Sequence, residues 1–361
     1  MTAATGRKIN VERLNFLVFG AGAIGTYIGG SLALTGHHVV FLEQPGAAEE
    51  LQGRGLCLEL KTIKDSPVTV PPDQFIVAES LLEAIRQGPF DVAIYALKSF
   101  DTTSALEEIK PFAAQMPPVL CLSNGVDNEP ALAAVLGLDK VIAGTVTSSV
   151  ARRAVGDIVL EKLRGVGVAD GHPLSLCLWE ALNRAFLNAH LYPRPADMKW
   201  SKMLTNLMVN ATVAILDMPA SAVLAHPGLF RLEVAILREA LAVMKAQGIR
   251  VVDTPKTPVR LLVLAAYLPA FISRPLMVRF VGGGRGAKMP SFHIDLHAGR
   301  GKSEVDWLNG AVVRYGEKFR VPTPVNKQLT GILLALTHNE IPLAQYSGQP
   351  EKLLDIVKVQ N

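Results

Sequence analysis

The stretch Gly20-Ala21-Gly22-Ala23-Ile24-Gly25 constrains the fold of this chain more than any other. It follows an apolar run, Leu14 to Phe19, and opens a segment that reads as a helix to about Thr35. Strand, tight glycine turn and helix form the setting in which G-x-G-x-x-G holds a dinucleotide. Each glycine has its own task. Gly20 permits the sharp turn, Gly22 lets the backbone approach a pyrophosphate, and Gly25 lets helix and strand pack closely. The N–H groups and positive dipole end of the helix then face the phosphates. Gly20, Gly22, Ala23, Ile24 and Gly25 are therefore candidate cofactor-binding residues.

Alternating strand and helix signals continue through the first half. A second strand, Val39 to Leu42, ends at Glu43. A carboxylate about 20 residues past such glycines can bond both adenosine ribose hydroxyls, and it would repel a 2′-phosphate. Glu43 therefore leans toward NAD(H). Leu56–Leu60 and Val68–Val70 read as small strands decorating the domain. Phe90–Ala96, ending at Lys98, and Pro118–Leu122, ending at Asn124, read as buried parallel strands. Ligands gather beyond the carboxyl ends of strands in such sheets. Gly20, Glu43, Lys98 and Asn124 all fall there. Val141–Thr145 and Asp157–Glu161 are expected to continue the sheet, and Pro173–Ala189 to form a helix. Two prolines, Pro193 and Pro195, then interrupt the pattern. Expected domains are a loose tail over 1–12, a dinucleotide-binding domain over 13–192 and a helical domain over 193–361.

A chain of 361 residues suits two domains, and 49% hydrophobic against 19% charged residues fills both cores. The net charge of +4 is scattered, which argues against a nucleic-acid partner. Cys57, Cys121 and Cys177 stand far apart without a C-x-x-C, the usage of a reducing, cytoplasmic compartment, and they supply no metal framework. The first residues lack the apolar core of a signal peptide. Leu261–Ile272 is apolar but well short of the roughly 20 residues a spanning helix needs, so no stable membrane insertion is expected. It reads as a buried helix or a pocket lid.

In the second half the strand alternation stops. Lys199–Leu216, Gly228–Gln247, Glu304–Lys318 and Val325–Thr337 read as helices, and Val281–Gly286 as a flexible loop. On the first of these helices Lys202, Asn206 and Asn210 stand at i, i+4 and i+8, on one face. Their neighbours Met203, Leu204, Leu207, Met208 and Val209 are apolar. A lysine and two amides on a buried stripe need polar partners or a ligand. Other patterns are weaker. His293 and His297 stand at i, i+4, but the H-E-x-x-H glutamate is missing and no third ligand is evident, so no metal is expected. Gly301-Lys302-Ser303 imitates the end of a P-loop without its leading glycine or strand. Met203, Met208 and Met218 read as core filler.

Taken in order, the carriers are Gly20–Gly25, Ala96-Leu97-Lys98-Ser99, Ser123-Asn124-Gly125-Val126 and Lys199-Trp200-Ser201-Lys202 with Asn206 and Asn210. Pro290-Ser291, Asp295 and Ser303 to Gly310 follow. This ordered set resembles the ketopantoate reductase (2-dehydropantoate 2-reductase) family from Leu14 to about Leu336. The resemblance implies an α/β Rossmann-type N-terminal domain, an all-α C-terminal domain and catalysis in a cleft between them. It implies hydride transfer from NADP(H) to the C2 ketone of a small 2-oxo acid, ketopantoate or a relative, in pantothenate biosynthesis, by a monomer or homodimer without metal. Another hydroxyacid or opine-type dehydrogenase, or a regulator without turnover, would share the architecture. Lys202 matches the general acid, whose charge suits a forming alkoxide. Asn206, Asn210 and Ser291 match substrate-binding positions. Lys98 matches a cofactor-contacting position, Asn124 one that serves cofactor and substrate, and Glu304 a catalytic carboxylate near cofactor and lysine.

Four departures accompany it. Glu43-Gln44 stands where the family often places an arginine for the NADP 2′-phosphate, so NAD(H) stays open. Ala220 replaces a substrate-binding asparagine. One extra residue lies between Asp295 and Glu304. Residues 254–288 are longer and more apolar than in a short family member. Together these suggest a 2-oxo acid bulkier or less polar than ketopantoate.

Overall fold

The computed structural model describes residues 13–60, 67–285 and 289–357, with the side chains of 279–285 left aside. The expected loose tail over 1–12 lies outside the described residues. The chain divides into two units. The first holds the chain through Ser123, Asn128–Pro195 and Pro255–Thr257; the second holds Asn124–Asp127, Ala196–Thr254 and the chain from Pro258 onward.

In the first unit the elements run β1 (Asn15–Phe19), α1 (Ala23–Leu34), β2 (His38–Leu42), α2 (Pro45–Arg54), β3 (Leu56–Glu59) and β4 (Val68–Val70). Then come β5 (Ile76–Ala78), α3 (Leu81–Arg86), β6 (Val92–Tyr95), α4 (Thr102–Ile109), β7 (Val119–Cys121) and α5 (Asn128–Leu136). The series closes with β8 (Val141–Val146), β9 (Ser149–Ala154), β10 (Asp157–Lys162), β11 (Val166–Ala169), α6 (Ser175–Arg184) and β12 (Ala189–Tyr192). An eight-stranded sheet has the order β12-β11-β8-β7-β6-β1-β2-β5. From β5 to β8 all neighbours are parallel, while β11 runs antiparallel to β8. Counting only the six parallel strands, the order is that of the Rossmann fold, with its switch point between β1 and β6. The central strands are buried on both faces, which explains their unbroken apolar runs.

A second, four-stranded sheet has the order β4-β3-β10-β9. Here the structure corrects the expected continuation of one sheet, because β10 pairs with β3 and β9. Helix α1 lies between the two sheets. A Cβ on Gly29 would stand 2.7 Å from Phe41 of β2, and one on Gly30 would stand 2.9 Å from Leu58 of β3. A helix buried on two opposite faces needs no polar stripe, and most of α1 is buried.

The segment read as one helix over Pro173–Ala189 is shorter. It ends at Arg184, and Phe186 and Asn188 adopt left-handed conformations, with φ of 60° and 51°. The chain then re-enters the sheet as β12. The Asn183 and Trp179 side chains fix this reversal through hydrogen bonds of 2.8 and 3.0 Å to the backbone of Ala189.

The second unit is helical: α7 (Pro195–Leu207), α8 (Asn210–Leu216), α9 (Ala220–Ala225), α10 (Pro227–Ala246), α11 (Val259–Tyr267), α12 (Ala270–Arg285), α13 (Ser291–His297), α14 (Val305–Phe319), α15 (Pro324–Thr337) and α16 (Pro350–Ile356). Helices α7, α8, α10, α14 and α15 supply much of its apolar core. Three expectations change. The helix over Lys199–Leu216 is broken into α7 and α8. The loop read over Val281–Gly286 is helical through Arg285, as the last turn of α12, and Gly286 lies outside the described residues. Leu261–Ile272 is not a buried helix but parts of α11 and α12, with Leu261, Leu264, Tyr267, Phe271 and Ile272 exposed. No described helix is long and apolar enough to cross a membrane.

Candidate active site

The glycine turn leaves β1 with Gly20 at φ 84°, a conformation L side chains rarely adopt. At Gly25 a Cβ would come within 1.8 Å of the Gly20 carbonyl oxygen, so only glycine lets α1 start here. Gly22 differs: a Cβ there would meet nothing within 4 Å. That open space in front of a helix start, with no side-chain cap and no acidic residue in its first turn, suits a pyrophosphate. The turn is fastened from behind, where the Ala21 carbonyl accepts from Thr26 Oγ1 at 2.8 Å and from the Gly156 N–H at 3.3 Å. These residues fit a bound dinucleotide.

Glu43 follows β2, and its carboxylate accepts from the Ala21 N–H, inside the fingerprint itself. The negative charge is therefore placed at the glycine turn. Lys98 follows β6 and precedes a short helical turn at Ser99–Asp101. Ser99 Oγ accepts from Asn128 Nδ2 at 3.2 Å, and Asn128 Oδ1 accepts from Thr102 Oγ1 at 2.7 Å. Ser123 Oγ, past β7, donates to the Leu97 carbonyl at 2.7 Å. Side chains thus fix the loops after β6 and β7 to one another.

In the second unit a chain of polar groups crosses an apolar region. Lys202 Nζ donates to Asn206 Oδ1 at 2.9 Å, and Asn206 Nδ2 donates to Asn124 Oδ1 at 3.1 Å. Asn210 Nδ2 donates to the Asn206 carbonyl at 3.1 Å and to Ser291 Oγ at 3.3 Å. Asn210 Oδ1 accepts from the Phe292 N–H at 3.1 Å. Five residues from three distant sequence segments are therefore joined: Asn124, Lys202, Asn206, Asn210 and Ser291.

The backbone between Asn206 and Asn210 is not a regular helix. Val209 sits at φ 50°, a left-handed conformation strained for a β-branched residue, by about 1–3 kcal/mol. Glu233 of α10, fully buried, holds this break. Its carboxylate accepts from the Val209 N–H at 2.7 Å and from the Thr212 hydroxyl. Asn210 consequently becomes the first residue of α8. The i, i+4, i+8 spacing anticipated a shared face but not the mechanism that aims Asn210. Glu233 left a trace in the sequence: it is the lone carboxylate on the buried face formed by Leu229, Leu232, Ile236, Leu237 and Ala240.

Asn124 is positioned from α14. Gly125, at φ 84°, lies so close that a Cβ would stand 2.7 Å from the Trp307 carbonyl oxygen. Arg314 bridges Asp127 at 2.6 Å and Asp306 at 2.9 Å. Half-burial alone would lower the Arg314 pKa; the two carboxylates outweigh it and raise the pKa above the usual arginine range. Glu304 immediately precedes α14 and is 1% exposed, with Ser303 Oγ capping the Val305 N–H at 3.2 Å. Ala220, where the resemblance implies a substrate-binding asparagine, packs against the apolar core of the unit.

Two models of the ketopantoate reductase PanE/ApbA family match: the main model over residues 16–170 and its C-terminal model over 196–337. The chain belongs to the ketopantoate reductase family. It is thus a nicotinamide-nucleotide-dependent oxidoreductase acting on a small 2-oxo acid. A 2-dehydropantoate 2-reductase of Pyrococcus horikoshii is 24% identical over 328 residues, covering 89% of this chain and 97% of its own. A PanE/ApbA family ketopantoate reductase from Ralstonia eutropha superposes with a TM-score of 0.75 at 23% identity, covering 91% and 99%. D-mandelate dehydrogenase in a ternary structure with NADH and anilino(oxo)acetate gives 0.71 at 20%, covering 90% and 99%. These last two likenesses establish the shared fold. Glu43 lies beside the glycine turn of the first unit, and Ala220 opens α9 in the helical unit.

Proposed function

We propose that this chain reduces a 2-oxo acid less polar than ketopantoate, with NADH as its preferred donor and Lys202 as the proton donor. The reading is carried by the Lys202–Asn206–Asn124 chain with its Asn210–Ser291 branch. When bound, the reduced nicotinamide supplies the hydride that ends on the substrate C2. The carbonyl π electrons move to oxygen, and Lys202 Nζ gives that oxygen its proton, yielding the 2-hydroxy acid. Asn206 Oδ1 orients the ammonium group. Asn210 and Ser291 offer an amide and a hydroxyl for the substrate's polar oxygens, and Glu304 contributes a catalytic carboxylate. Asn124, Lys98 and the Gly20–Gly25 turn are assigned to the cofactor, with Asn124 serving the substrate as well.

Glu43 supports NADH, because its carboxylate is suited to ribose hydroxyls and repels a 2′-phosphate. Ala220 supports the less polar substrate, since a methyl group replaces an amide there. The D-mandelate dehydrogenase likeness adds a protein of this architecture whose structure contains NADH and anilino(oxo)acetate. Initial rates with NADH and NADPH against ketopantoate, 2-oxoisovalerate and phenylglyoxylate test the reading. It predicts the highest kcat/KM with NADH and an apolar 2-oxo acid. Ketopantoate with NADPH as the best pair would overturn it.

A further inference from the structure

We propose that Asp217, His293 and His297 form a binding site for one divalent transition-metal cation on the second unit. The sequence shows only the two imidazoles, one helical turn apart on α13. Folding brings them a carboxylate from the residue that ends α8. Asp217 Oδ1 lies 2.7 Å from His293 Nε2 and 3.7 Å from His297 Nε2, and the ligand atoms of all three residues lie within 4.8 Å of one another. The two rings lie 4.0 Å apart, tilted by 30°, so both present their edges to the same carboxylate.

These separations suit a metal. Zinc–nitrogen and zinc–oxygen bonds of about 2.0–2.2 Å place neighbouring ligand atoms in a tetrahedral site about 3.4 Å apart. The two oxygen–nitrogen distances bracket that value, so side-chain rotation alone would admit the ion. Two imidazoles and one carboxylate are borderline donors that favour Zn²⁺, Co²⁺, Ni²⁺ or Cu²⁺ over Mg²⁺ or Ca²⁺. Exposure also fits. His293 is 14%, His297 37% and Asp217 44% exposed at the side chain, which gives the ion an entry path and leaves a coordination position for water.

The placement has a mechanical consequence. Helices α8 and α13 lie side by side, and their first residues are already joined by the Asn210–Ser291 hydrogen bond. A metal at Asp217, His293 and His297 would add a second tie between the same two helices, from the end of α8 to both turns of α13. It would thereby stabilise the second unit by mass action, since the unfolded chain holds no such preformed triad.

Untagged full-length protein is titrated with Zn²⁺ by calorimetry and by thermal denaturation, and with Co²⁺ by visible absorption. Expected are one equivalent bound, a Tm rise of about 5 °C at a hundredfold excess over Kd, and Co²⁺ ligand-field bands without a thiolate charge-transfer band. Asp217→Asn and His297→Gln should each weaken binding at least about tenfold, while His338→Gln, at an exposed histidine elsewhere, should leave it unchanged. All three sites are exposed enough for the variants to fold, which circular dichroism checks. Absence of saturable binding, equal binding by the triad variants, or a thiolate band pointing to Cys57 or Cys177 would each overturn the site.

Discussion

The glycine turn of the first unit and the Lys202 chain of the second are built on opposite principles. The turn works through what is missing: no Cβ fits at Gly25, and none stands in the way at Gly22. Its groups are backbone N–H and carbonyl, fixed by neighbouring strands. The Lys202 chain works through side chains contributed by Asn124, by the broken helix pair α7–α8 and by Ser291. One site is written as six consecutive letters, while the other exists only after three distant segments meet. A backbone site should therefore fail abruptly when a single methyl is added. A side-chain site should fail by degrees and selectively.

Gly25→Ala is the hardest blow to this contrast. A methyl within 1.8 Å of the Gly20 oxygen must displace α1 from β1, costing about 3 kcal/mol or more. NADH binding followed by fluorescence should disappear, while the helical unit keeps its ellipticity. Retained NADH affinity would show that the turn is not the cofactor's seat.

Glu233→Leu comes next and strikes the second unit without touching any of the five linked residues. It leaves the Val209 N–H and the Thr212 hydroxyl without their acceptor, worth about 2–4 kcal/mol of stability. Because that bond aims Asn210, KM for the 2-oxo acid should rise about tenfold with the NADH Kd unchanged. Glu233→Gln keeps an acceptor oxygen and should restore most of both losses. An unchanged KM in the leucine variant would separate the helix break from substrate binding.

Glu43→Arg has the smallest effect and sharpens the role of the turn. Replacing a carboxylate with a guanidinium removes repulsion and adds a phosphate partner, so the NADH-to-NADPH preference should move about tenfold toward NADPH, roughly 1.4 kcal/mol. Rates with both donors read it directly. A preference that does not move would remove Glu43 from cofactor selection.

The same contrast explains what the sequence could show. Strands β1, β2, β6, β7 and β8 were legible because burial on both faces turns them into apolar runs, and the fingerprint because its letters are consecutive; β5, β11 and β12 were not read from the sequence. β10 was misplaced because a strand's letters do not say which sheet it joins. The helix over Lys199–Leu216 was read as continuous because Val209 and its neighbours look helical. The break depends on a carboxylate 24 residues away on α10. The reversal after α6 was hidden for a similar reason, since the left-handed Phe186 and Asn188 do not show in local composition. In the site, Lys202, Asn206 and Asn210 were visible as a polar stripe, whereas their link to Asn124 spans 82 residues. Asp217 was invisible as a partner of His293 for the same reason, at a separation of 76.

The central claim is that the first unit holds the cofactor while Lys202 of the second decides the reaction. Lys202→Ala tests it with one preparation, measured for NADH affinity and for turnover of the best 2-oxo acid. The expected result is a kcat lower by about 10²–10⁴, the usual contribution of a positioned general acid, with the NADH Kd unchanged. Turnover equal to that of the parent protein, or loss of NADH binding together with activity, would contradict it.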